Sequence, residues 1–498
     1  MKNVYDVVII GSGLGGLECG VMLSKEGYNV CILEQSASYG GCLQSFTRKN
    51  KSIDTGIHYV GSMDDGQIMR QYLKYFGILD KLQTVRLDDD FDVINFNNED
   101  QFSYKHGYDS FFSSLNELFP LEREGLKKYC AKIYEIGSSI NTDVHKSGLL
   151  SSGGGENLSV SASMFINECV KNETLRNVLA GTNILYGGVR ESANLYHHAM
   201  INHSNIEGAY RFLGGTQKIA DLMMQEICDN GGTIRNNSKV IHIEPKGSEV
   251  VYVELENSEH IYGKYFISDL HPASTFGMLG VTPNIKKAYK TRLSSLANTY
   301  GLFSVYLVMK EKRFPYINKN LYFFNGRDVW DILPDNKELV PKVVMFIPQT
   351  QSADMKYSDV VTLISPVDNS LFGKWIGTSV GSRGEEYENI KEKITHNIIN
   401  EALKRYPELS DGIGSIYSAS PLTYLSYTGT PEGSAYGILK DYRKTLFTLF
   451  PVKTKLKNLY LTGQNLNVHG ALGVTLTAAA TCSELLGMEY LAKKIGGA

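Results

Sequence analysis

The residues with the clearest chemical meaning are three glycines and an acid near the start of the chain. Gly11, Gly13 and Gly16 follow the spacing G-x-G-x-x-G, with the apolar run 5–10 before them and a helical pattern after them. Glu34 stands roughly 20 residues further on, behind a second apolar run. A glycine turn in an ordinary α/β domain needs none of these neighbours. The combination predicts a dinucleotide-binding βαβ unit.

Each residue of this loop has a predicted mechanical role. Gly11 permits a tight turn, Gly13 lets the backbone approach a pyrophosphate, and Gly16 lets the helix pack closely on the strand. Ser12 and Leu14 complete the loop, where the first N–H groups of the helix and its positive dipole end favour phosphate. We therefore predict that these five residues bind the nucleotide.

Glu34 indicates which nucleotide is bound. A carboxylate at this point accepts hydrogen bonds from an adenosine ribose and repels a 2′-phosphate, so the tightly held nucleotide is not expected to be NADP. Its neighbour Gln35 is expected to contact the nucleotide too. Residues 377–384 are glycine-rich but lack a preceding strand, so no resident nicotinamide is expected. NAD(P)H or another electron donor or acceptor is expected to act only transiently.

The stretch after Glu34 carries two further motifs. G-G-C-L-Q-S-F occupies residues 40–46, and D-T-G-I-H-Y-V-G occupies residues 54–61. On these motifs the chain resembles the all-trans-retinol 13,14-reductase (retinol saturase) branch of the FAD-dependent carotenoid desaturase and isomerase family. Related amine oxidases and phytoene desaturases usually carry Arg or a similar residue after the glycine pair, where this chain has Cys42. The resemblance implies non-covalent FAD, with Gly41 and Cys42 among its contacts.

The C-terminal end and the middle of the chain support the same resemblance. The pattern of residues 458–464 predicts a strand ending in a turn, and that of residues 472–486 predicts a helix. The resemblance implies that this helix begins against the flavin ring, where its dipole stabilises negative charge on reduction. It also implies that the backbone of Val240 contacts the adenine. The contacts expected at the C-terminal end are Gly463, Gln464, Gly473 and Val474.

These motifs predict an α/β fold with a discontinuous FAD-binding domain. The domain is Rossmann-like, of the glutathione-reductase or amine-oxidase type, and carries an inserted mixed α+β substrate domain. We assign residues 1–61, 213–272 and 455–498 to the FAD-binding domain, and residues 62–212 and 273–454 to the substrate-binding domain. The division follows the motifs, because every nucleotide-binding block falls in the first set.

The sequence of the substrate-binding part contains fewer recognisable motifs. Its hydrophobic periodicity predicts helices over residues 123–136 and 163–179. A polar, glycine-rich break over residues 151–157 predicts a mobile loop. The longest apolar run, residues 300–309, is too short to cross a bilayer and predicts a buried strand.

Composition limits the partners and the compartment. The formal net charge is -3 without a basic cluster, so nucleic acid is not an expected partner. The seven cysteines contain no C-x-x-C pair, which favours a reducing, cytoplasmic location. A strand pattern begins almost at Met1, so no signal peptide is expected before the fold. Because an apolar substrate must be collected from a lipid surface, we predict peripheral membrane contact near Leu149, Leu150 and the glycine-rich break.

Saturation of a conjugated alkene requires a hydride at one carbon and a proton at the other. His58 and Tyr59, which follow the second glycine pair, are the predicted proton donors or flavin-positioning groups. A structural histidine that bonds a backbone carbonyl is an equal alternative for His58. The segment 421–437 also matches the family, and it adds Tyr427 and Tyr436 as secondary candidates.

Three histidines invite a metal interpretation that we do not adopt. His197, His198 and His203 lack acidic or cysteine partners nearby in the sequence. Histidines of this kind more often lie on helix surfaces or in satisfied polar contacts. No metal site is predicted.

The leading hypothesis is an FAD-dependent oxidoreductase that acts on a C=C bond of an apolar polyene or related lipid. Retinoid reduction is the nearest named activity. A carotenoid or phytoene desaturase, or a carotenoid isomerase, is the second hypothesis, and amine oxidation is disfavoured by Cys42. A non-catalytic flavoprotein that binds lipid is the alternative from another class.

Overall fold

The computed structural model describes residues 4–96, 100–143 and 154–497, and it arranges them around two large sheets. The strands are β1 (Val4–Ile10), β2 (Val30–Leu33), β3 (Ser45–Arg48), β4 (Lys51–Asp54), β5 (Thr84–Arg86), β6 (Asp92–Phe96), β7 (Asp100–Tyr104), β8 (Tyr210–Phe212), β9 (Thr233–Arg235), β10 (Val240–Lys246), β11 (Glu249–Leu255), β12 (His260–Ser268), β13 (Gly301–Met309), β14 (Asn320–Phe324), β15 (Val343–Gln349), β16 (Val360–Val367), β17 (Ile413–Ala419) and β18 (Leu459–Leu461). The helices are α1 (Leu14–Lys25), α2 (Ile68–Tyr75), α3 (Tyr108–Leu118), α4 (Arg123–Asp143), α5 (Gly154–Leu158), α6 (Ala162–Cys169), α7 (Glu173–Ala180), α8 (Leu195–Gly208), α9 (Gln217–Asp229), α10 (Pro272–Met278), α11 (Lys287–Ser294), α12 (Glu385–Arg405), α13 (Leu409–Gly412), α14 (Pro421–Thr428), α15 (Thr445–Thr448), α16 (Gly470–Leu486) and α17 (Met488–Gly496).

The first sheet has the strand order β10-β11-β12-β1-β2-β9, and β18 pairs with β12. Strand β1 runs parallel to both β12 and β2, and its last four residues are buried. Helix α1 packs between α9 and α16. Because β1, β2, β12 and β18 are parallel, their carboxyl ends meet at one edge of the sheet. The glycine loop opens at this edge, where doubly wound sheets bind ligands.

The second sheet has the strand order β17-β13-β16-β15-β14-β6-β7. Its pairings are antiparallel except that of β14 with β6. The apolar run 300–309 forms the predicted buried strand, β13, between β16 and β17. The Rossmann-like sheet and this mixed part confirm the predicted fold class, whereas the domain boundaries stay a prediction. Within the described ranges, no helix is both long enough and apolar enough to cross a bilayer.

Two local predictions for the substrate-binding part are wrong. Residues 163–179 form two helices, α6 and α7, because the Asn172 side chain accepts a hydrogen bond from Leu175 N and starts a new helix there. In the glycine-rich break, residues 154–157 belong to helix α5 rather than to a loop. The rest of the break, with Leu149 and Leu150, lies outside the described residues.

Candidate dinucleotide-binding site

A cavity of about 570 Å³ lies between the two sheets. One side is formed by the glycine loop of the first sheet. The opposite side, which we call the second-sheet wall, consists of residues from β13, β16 and the segment that starts at α14. The residues of this wall used below are Leu302, Ile364, Tyr424, Tyr427 and Tyr436. A cavity of this size suits an organic ligand.

The glycine loop leaves no room for side chains. Gly11 has φ +98°, a conformation that L-residues rarely adopt. A Cβ on Gly13 would stand 2.5 Å from the Asp269 Oδ2 atom, and one on Gly16 would stand 2.2 Å from the Gly11 carbonyl oxygen. Gly11, Gly13, Ser12 and Leu14 line the cavity, whereas Gly16 does not and serves helix packing. The loop therefore has the form that the sequence predicts.

Glu34 lies at the carboxyl end of β2, and it and Gln35 both line the cavity. The Glu34 Oε2 atom accepts from the hydroxyl and the backbone N–H of Ser12, at 2.5 and 3.2 Å. Its Oε1 atom accepts from the Ser36 N–H at 2.8 Å. These bonds hold the carboxylate at the cavity edge. Val240, the predicted adenine contact, also lines the cavity.

The second glycine pair packs directly against the first loop. The Gly40 N–H donates to the Ser12 carbonyl at 3.0 Å, and a Cβ on Gly41 would stand 3.0 Å from the Gly13 Cα. Gly41 and Cys42 line the cavity. Burial, with a contribution from nearby Asp269, raises the pKa of the Cys42 thiol to about 11. The thiol therefore keeps its proton at physiological pH.

Asp54 fixes the D-T-G-I-H-Y segment, and sequence reasoning did not single it out. Its Oδ1 atom accepts from the Ser45 hydroxyl at 2.7 Å and from the Thr216 N–H at 2.8 Å. Its Oδ2 atom accepts from the Gln349 side chain at 3.1 Å. One carboxylate thus joins β3, the start of α9 and the second sheet. The signal was present in the sequence, because a buried strand end with an acid needs partners of this kind.

His58 lines the cavity, but neither of its ring nitrogens has a hydrogen-bond partner or solvent access. Burial lowers the pKa of His58 to about 3, helped by the positive charge of Arg211. The imidazole is therefore neutral at physiological pH, and a neutral imidazole is a poor acid. Buried nitrogens without partners are costly, so this side chain is expected to turn toward a polar group in the cavity.

Tyr59 does not line the cavity. Its hydroxyl donates to the Asp92 Oδ2 atom at 3.0 Å and lies 3.0 Å from the Tyr322 hydroxyl. Asn320 donates to the other oxygen of Asp92 at 2.8 Å. Burial raises the pKa of Asp92 to about 7, and Asn320, Tyr59 and Tyr322 oppose this rise. Since the Tyr59 hydroxyl is already bonded to Asp92 and Tyr322 outside the cavity, the geometry favours a structural role for Tyr59 over the predicted catalytic one.

The tyrosines of the second-sheet wall include one that the sequence analysis did not select. Tyr427 and Tyr436 line the cavity, and Tyr424, one turn before Tyr427 on α14, lines it too. The Tyr424 hydroxyl lies 2.7 Å from the Ser304 hydroxyl. The Tyr436 hydroxyl donates to the Ile184 carbonyl at 2.9 Å, and burial raises its pKa. The helical spacing of Tyr424 and Tyr427 was the available signal.

At the C-terminal end, Gln464 and Val474 line the cavity, whereas Gly463 and Gly473 do not. A Cβ on Gly463 would stand 2.2 Å from the Asp269 Oδ1 atom, and one on Gly473 would stand 2.6 Å from the Val468 carbonyl oxygen. Both glycines therefore permit close packing behind the residues that line the cavity. Helix α16 begins at Gly470, which lines the cavity, so its N-terminus does face the site.

Asp269 is the main residue that sequence reasoning missed. It follows β12, whose parallel neighbour β1 ends at the glycine loop, and it lines the cavity. Its carboxylate lies against the glycine loop, where the Oδ2 atom would stand 2.5 Å from a Cβ on Gly13 and 3.3 Å from one on Gly16. Burial, with a contribution from Glu34, raises the pKa of Asp269 to about 7, and the nearby backbone N–H groups of Gly16 and Gly13 oppose this rise. The strand order, had it been known, would have pointed to it.

The three histidines of α8 are buried rather than on a helix surface. His198 lies between the hydroxyls of Tyr129 and Tyr186, at 2.8 and 3.0 Å. The remaining contacts are those of the His197 ring with Asn194 Oδ1 (2.7 Å) and the Asn467 carbonyl (2.8 Å), and of His203 with the Tyr108 hydroxyl (2.9 Å). Burial lowers the pKa of all three. They are in satisfied polar contacts, and among the described residues no cluster of metal-ligating side chains occurs.

Comparison with known proteins agrees with this geometry. Residues 9–76 match the model of an NAD(P)-binding Rossmann-like domain. All-trans-retinol 13,14-reductase of Danio rerio is 25% identical over 97% of this chain and 86% of its own length. The chain is therefore similar over most of its length to a retinol 13,14-reductase. Prolycopene isomerase 1 of an Oncidium hybrid cultivar is 23% identical over 93% of this chain and 80% of its own length.

A solved structure extends the comparison to the fold. Putrescine oxidase with bound putrescine aligns with a TM-score of 0.66 at 15% identity, over 98% of this chain and 100% of that chain. Together these proteins confirm the resemblance found in the sequence, the Rossmann-like fold class and the assignment to the oxidoreductases. They also indicate a flavin as the class of cofactor.

Proposed function

We propose that the protein is an FAD-dependent oxidoreductase that saturates a C=C bond of an apolar polyene or related lipid. One observation carries the proposal: the glycine loop and the second-sheet wall face the same cavity. Of the described residues on that wall, none carries a charge. An apolar chain therefore lies against it without desolvating an ion. The relatives support the same substrate class, since one is named for a retinol and another for a lycopene.

The chain's own residues fit FAD. The glycine loop offers backbone N–H groups for a pyrophosphate, Glu34 an acceptor for the ribose, and α16 a helix N-terminus for the ring. Bound FAD would supply the hydride. The predicted contacts that line the cavity are Gly11, Ser12, Gly13, Leu14, Glu34, Gln35, Gly41, Cys42, Val240, Gln464 and Val474. The predicted division into a FAD-binding and a substrate-binding domain is part of the same proposal, with the cavity where the two meet.

Two of the predicted proton donors, His58 and Tyr436, are poorly suited to saturation. The neutral imidazole of His58 is a poor acid, and Tyr436 already donates its proton to a carbonyl. Isomerisation is therefore a second candidate function, because it consumes no net hydride or proton. The second-sheet wall suits either reaction, and the prolycopene isomerase relative favours keeping this alternative. Desaturation would need an electron acceptor instead of a donor.

Electron stoichiometry separates these reactions. The flavin is reduced without oxygen by a chemical donor such as dithionite, and a polyene is then added. Saturation predicts one donor equivalent consumed per product, and isomerisation predicts product without stoichiometric consumption. A flavoprotein that only binds lipid predicts neither reoxidation nor product. A lipid extract incubated with the pure protein and searched for mass changes of two hydrogens identifies the substrate.

The cofactor itself needs a separate test. The purified protein is expected to be yellow, and acid precipitation is expected to release the colour as FAD, because the resemblance marks no residue as a flavin linkage. A pellet that stays yellow would contradict non-covalent binding. NAD(P)H is proposed only as a transient donor, so it should reduce the flavin without co-purifying.

Membrane contact is a further part of the proposal. The described residues offer an apolar surface at α15, where Leu446 is 90% and Phe447 54% exposed. The Thr445 hydroxyl lies 3.2 Å from that of Ser159, which places the exposed Val160 beside this surface. We propose that the protein rests on a lipid surface there. A cytoplasmic location is the accompanying proposal, supported by seven free cysteines.

A further inference from the structure

Asp269 occupies the place that an anion takes at a Rossmann loop. Its carboxylate lies against the glycine loop at the start of α1: the Oδ1 atom is 2.9 Å from where a Cβ on Gly15 would stand, and the Oδ2 atom is 3.3 Å from where one on Gly16 would stand. Its Oδ2 atom is 2.5 Å from where a Cβ on Gly13 would stand, so the carboxylate touches the loop surface that Gly13 leaves free. In this structure the carboxylate thus stands in for a phosphate group. A ligand with a pyrophosphate has to share the N–H groups of this loop with it or displace it.

The charges around Asp269 make this sharing unfavourable for an ionised carboxylate. The titratable groups that act on it, or on which it acts, are Glu34 at the end of β2, Glu18 and Cys19 on α1, and Cys42 on the second loop. All of them are acids, but burial raises the pKa of Glu18, Cys19 and Cys42 and keeps them neutral, which leaves the Glu34 carboxylate as the neighbouring negative charge. The bases that line the same cavity do not offset it: burial lowers the pKa of His58 and His271, and Lys239 pairs with Glu256. A pyrophosphate adds two more negative charges at contact distance, in a site shielded from bulk solvent.

We propose that the nucleotide binds together with one proton, which neutralises Asp269 and lets its carboxyl group donate a hydrogen bond to a pyrophosphate oxygen. Asp269 is then a cofactor-binding residue whose charge sets the affinity. Its pKa of about 7 in the free protein places the change in the physiological range. The inference rests on the proposed FAD site and adds the residue and the proton that govern its occupancy.

The test measures FAD affinity against pH by the quenching of flavin fluorescence. Linkage predicts that the wild-type dissociation constant is level below about pH 6 and rises roughly tenfold per unit above about pH 7, so that it is roughly a hundredfold weaker near pH 9. FAD has no group that titrates in this range. Calorimetry at about pH 8 in two buffers of different ionisation heat should show the uptake of nearly one proton per FAD.

Two variants assign the proton to Asp269. Asp269→Asn keeps the shape and donates a hydrogen bond without a proton, so its FAD affinity should be independent of pH and near pH 9 should exceed that of the wild type. Asp92→Asn is the matched control, because Asp92 is a second buried acid with a pKa of about 7 but lies outside the cavity wall. It should keep the wild-type slope. ADP-ribose, which has the pyrophosphate but no flavin, should show the same slope as FAD.

Several results would overturn the inference. A flat wild-type profile without proton uptake would do so, as would an Asp269→Asn variant that keeps the slope, or a slope for FAD without one for ADP-ribose. If Asp269→Asn does not fold, two other measurements decide the question. They are the proton uptake by the wild-type protein and the pH dependence of FAD affinity in Asp269→Ser, which has no carboxyl group at this position. Absence of FAD binding at every pH would overturn the proposed function as well, whereas tight binding that is independent of pH would leave that function standing.

Discussion

Two buried acids titrate alike in this molecule and differ in what surrounds them. Asp92 and Asp269 both have a pKa of about 7, raised mainly by burial. Asp92 bonds to Asn320, Tyr59 and Tyr322 and is not among the residues that line the cavity. Asp269 lies against the glycine loop and faces the cavity. A raised pKa therefore indicates a ligand site only where a cavity adjoins the group.

The largest effect is expected from a side chain in the glycine loop. Gly13→Val should abolish FAD binding, because its Cβ would already stand 2.5 Å from Asp269 Oδ2 and the rest of the side chain would fill the pyrophosphate position. Flavin content after purification measures this. The matched control is Gly326→Ala, where a Cβ meets nothing within 4 Å. Stoichiometric FAD in Gly13→Val would remove the basis for the site.

The next largest effect concerns the stability of the Asp92 network. A folded-state pKa of about 7, above the ordinary value of 3.8, means that wild-type stability contributed by this group is lost as pH rises from about 4 through 7. Asp92→Asn lacks this loss. The free energy of unfolding of the variant minus that of the wild type should therefore be larger near pH 8 than at pH 4, by on the order of 3 to 4 kcal/mol. Urea unfolding at both pH values measures it. A difference that does not change with pH would show that Asp92 is not neutral in the folded protein.

A smaller effect is expected at His58. His58→Phe should keep its FAD and, because a neutral imidazole is a poor acid, should lose less substrate-dependent reoxidation than the roughly hundredfold that removal of a general acid costs. Because the pKa of His58 is about 3, this residue should add no inflection near pH 6.5 to the pH profile of the wild-type rate. The profiles of the wild type and the variant should therefore have the same shape there. Such an inflection would instead identify an imidazolium acid. Normal turnover of the variant would move attention to Tyr424, Tyr427 and Tyr436.

The smallest effect is expected on the membrane surface. Replacing Leu446 and Phe447 together by serine should lower flotation with neutral liposomes by roughly tenfold, because the two exposed side chains together gain about 1 to 2 kcal/mol on partial burial at a lipid surface. FAD content and thermal stability should not change. Leu121→Ser, at a residue 99% exposed on another part of the surface, is the control. Equal flotation of all three proteins would place the lipid contact elsewhere.

The sequence by itself determined the nucleotide-binding unit. Gly11, Gly13 and Gly16 are needed wherever a strand turns into a helix against a phosphate, so their spacing is a local property of the chain. Glu34 and the strand β13 were readable for the same reason. The split of residues 163–179 into two helices was missed because the Asn172 cap competes with an apolar periodicity that continues across it.

Only the tertiary structure decided which distant side chains share the site. Asp269 reaches the glycine loop because β12 pairs with β1, and Tyr424 reaches it because α14 lies on the second sheet. Tyr59 follows His58 directly in the chain, yet its hydroxyl turns to Asp92 and away from the cavity. Local spacing fixes backbone turns, whereas the burial that shifts the pKa values of His58, Asp92 and Asp269 depends on every element packed around them.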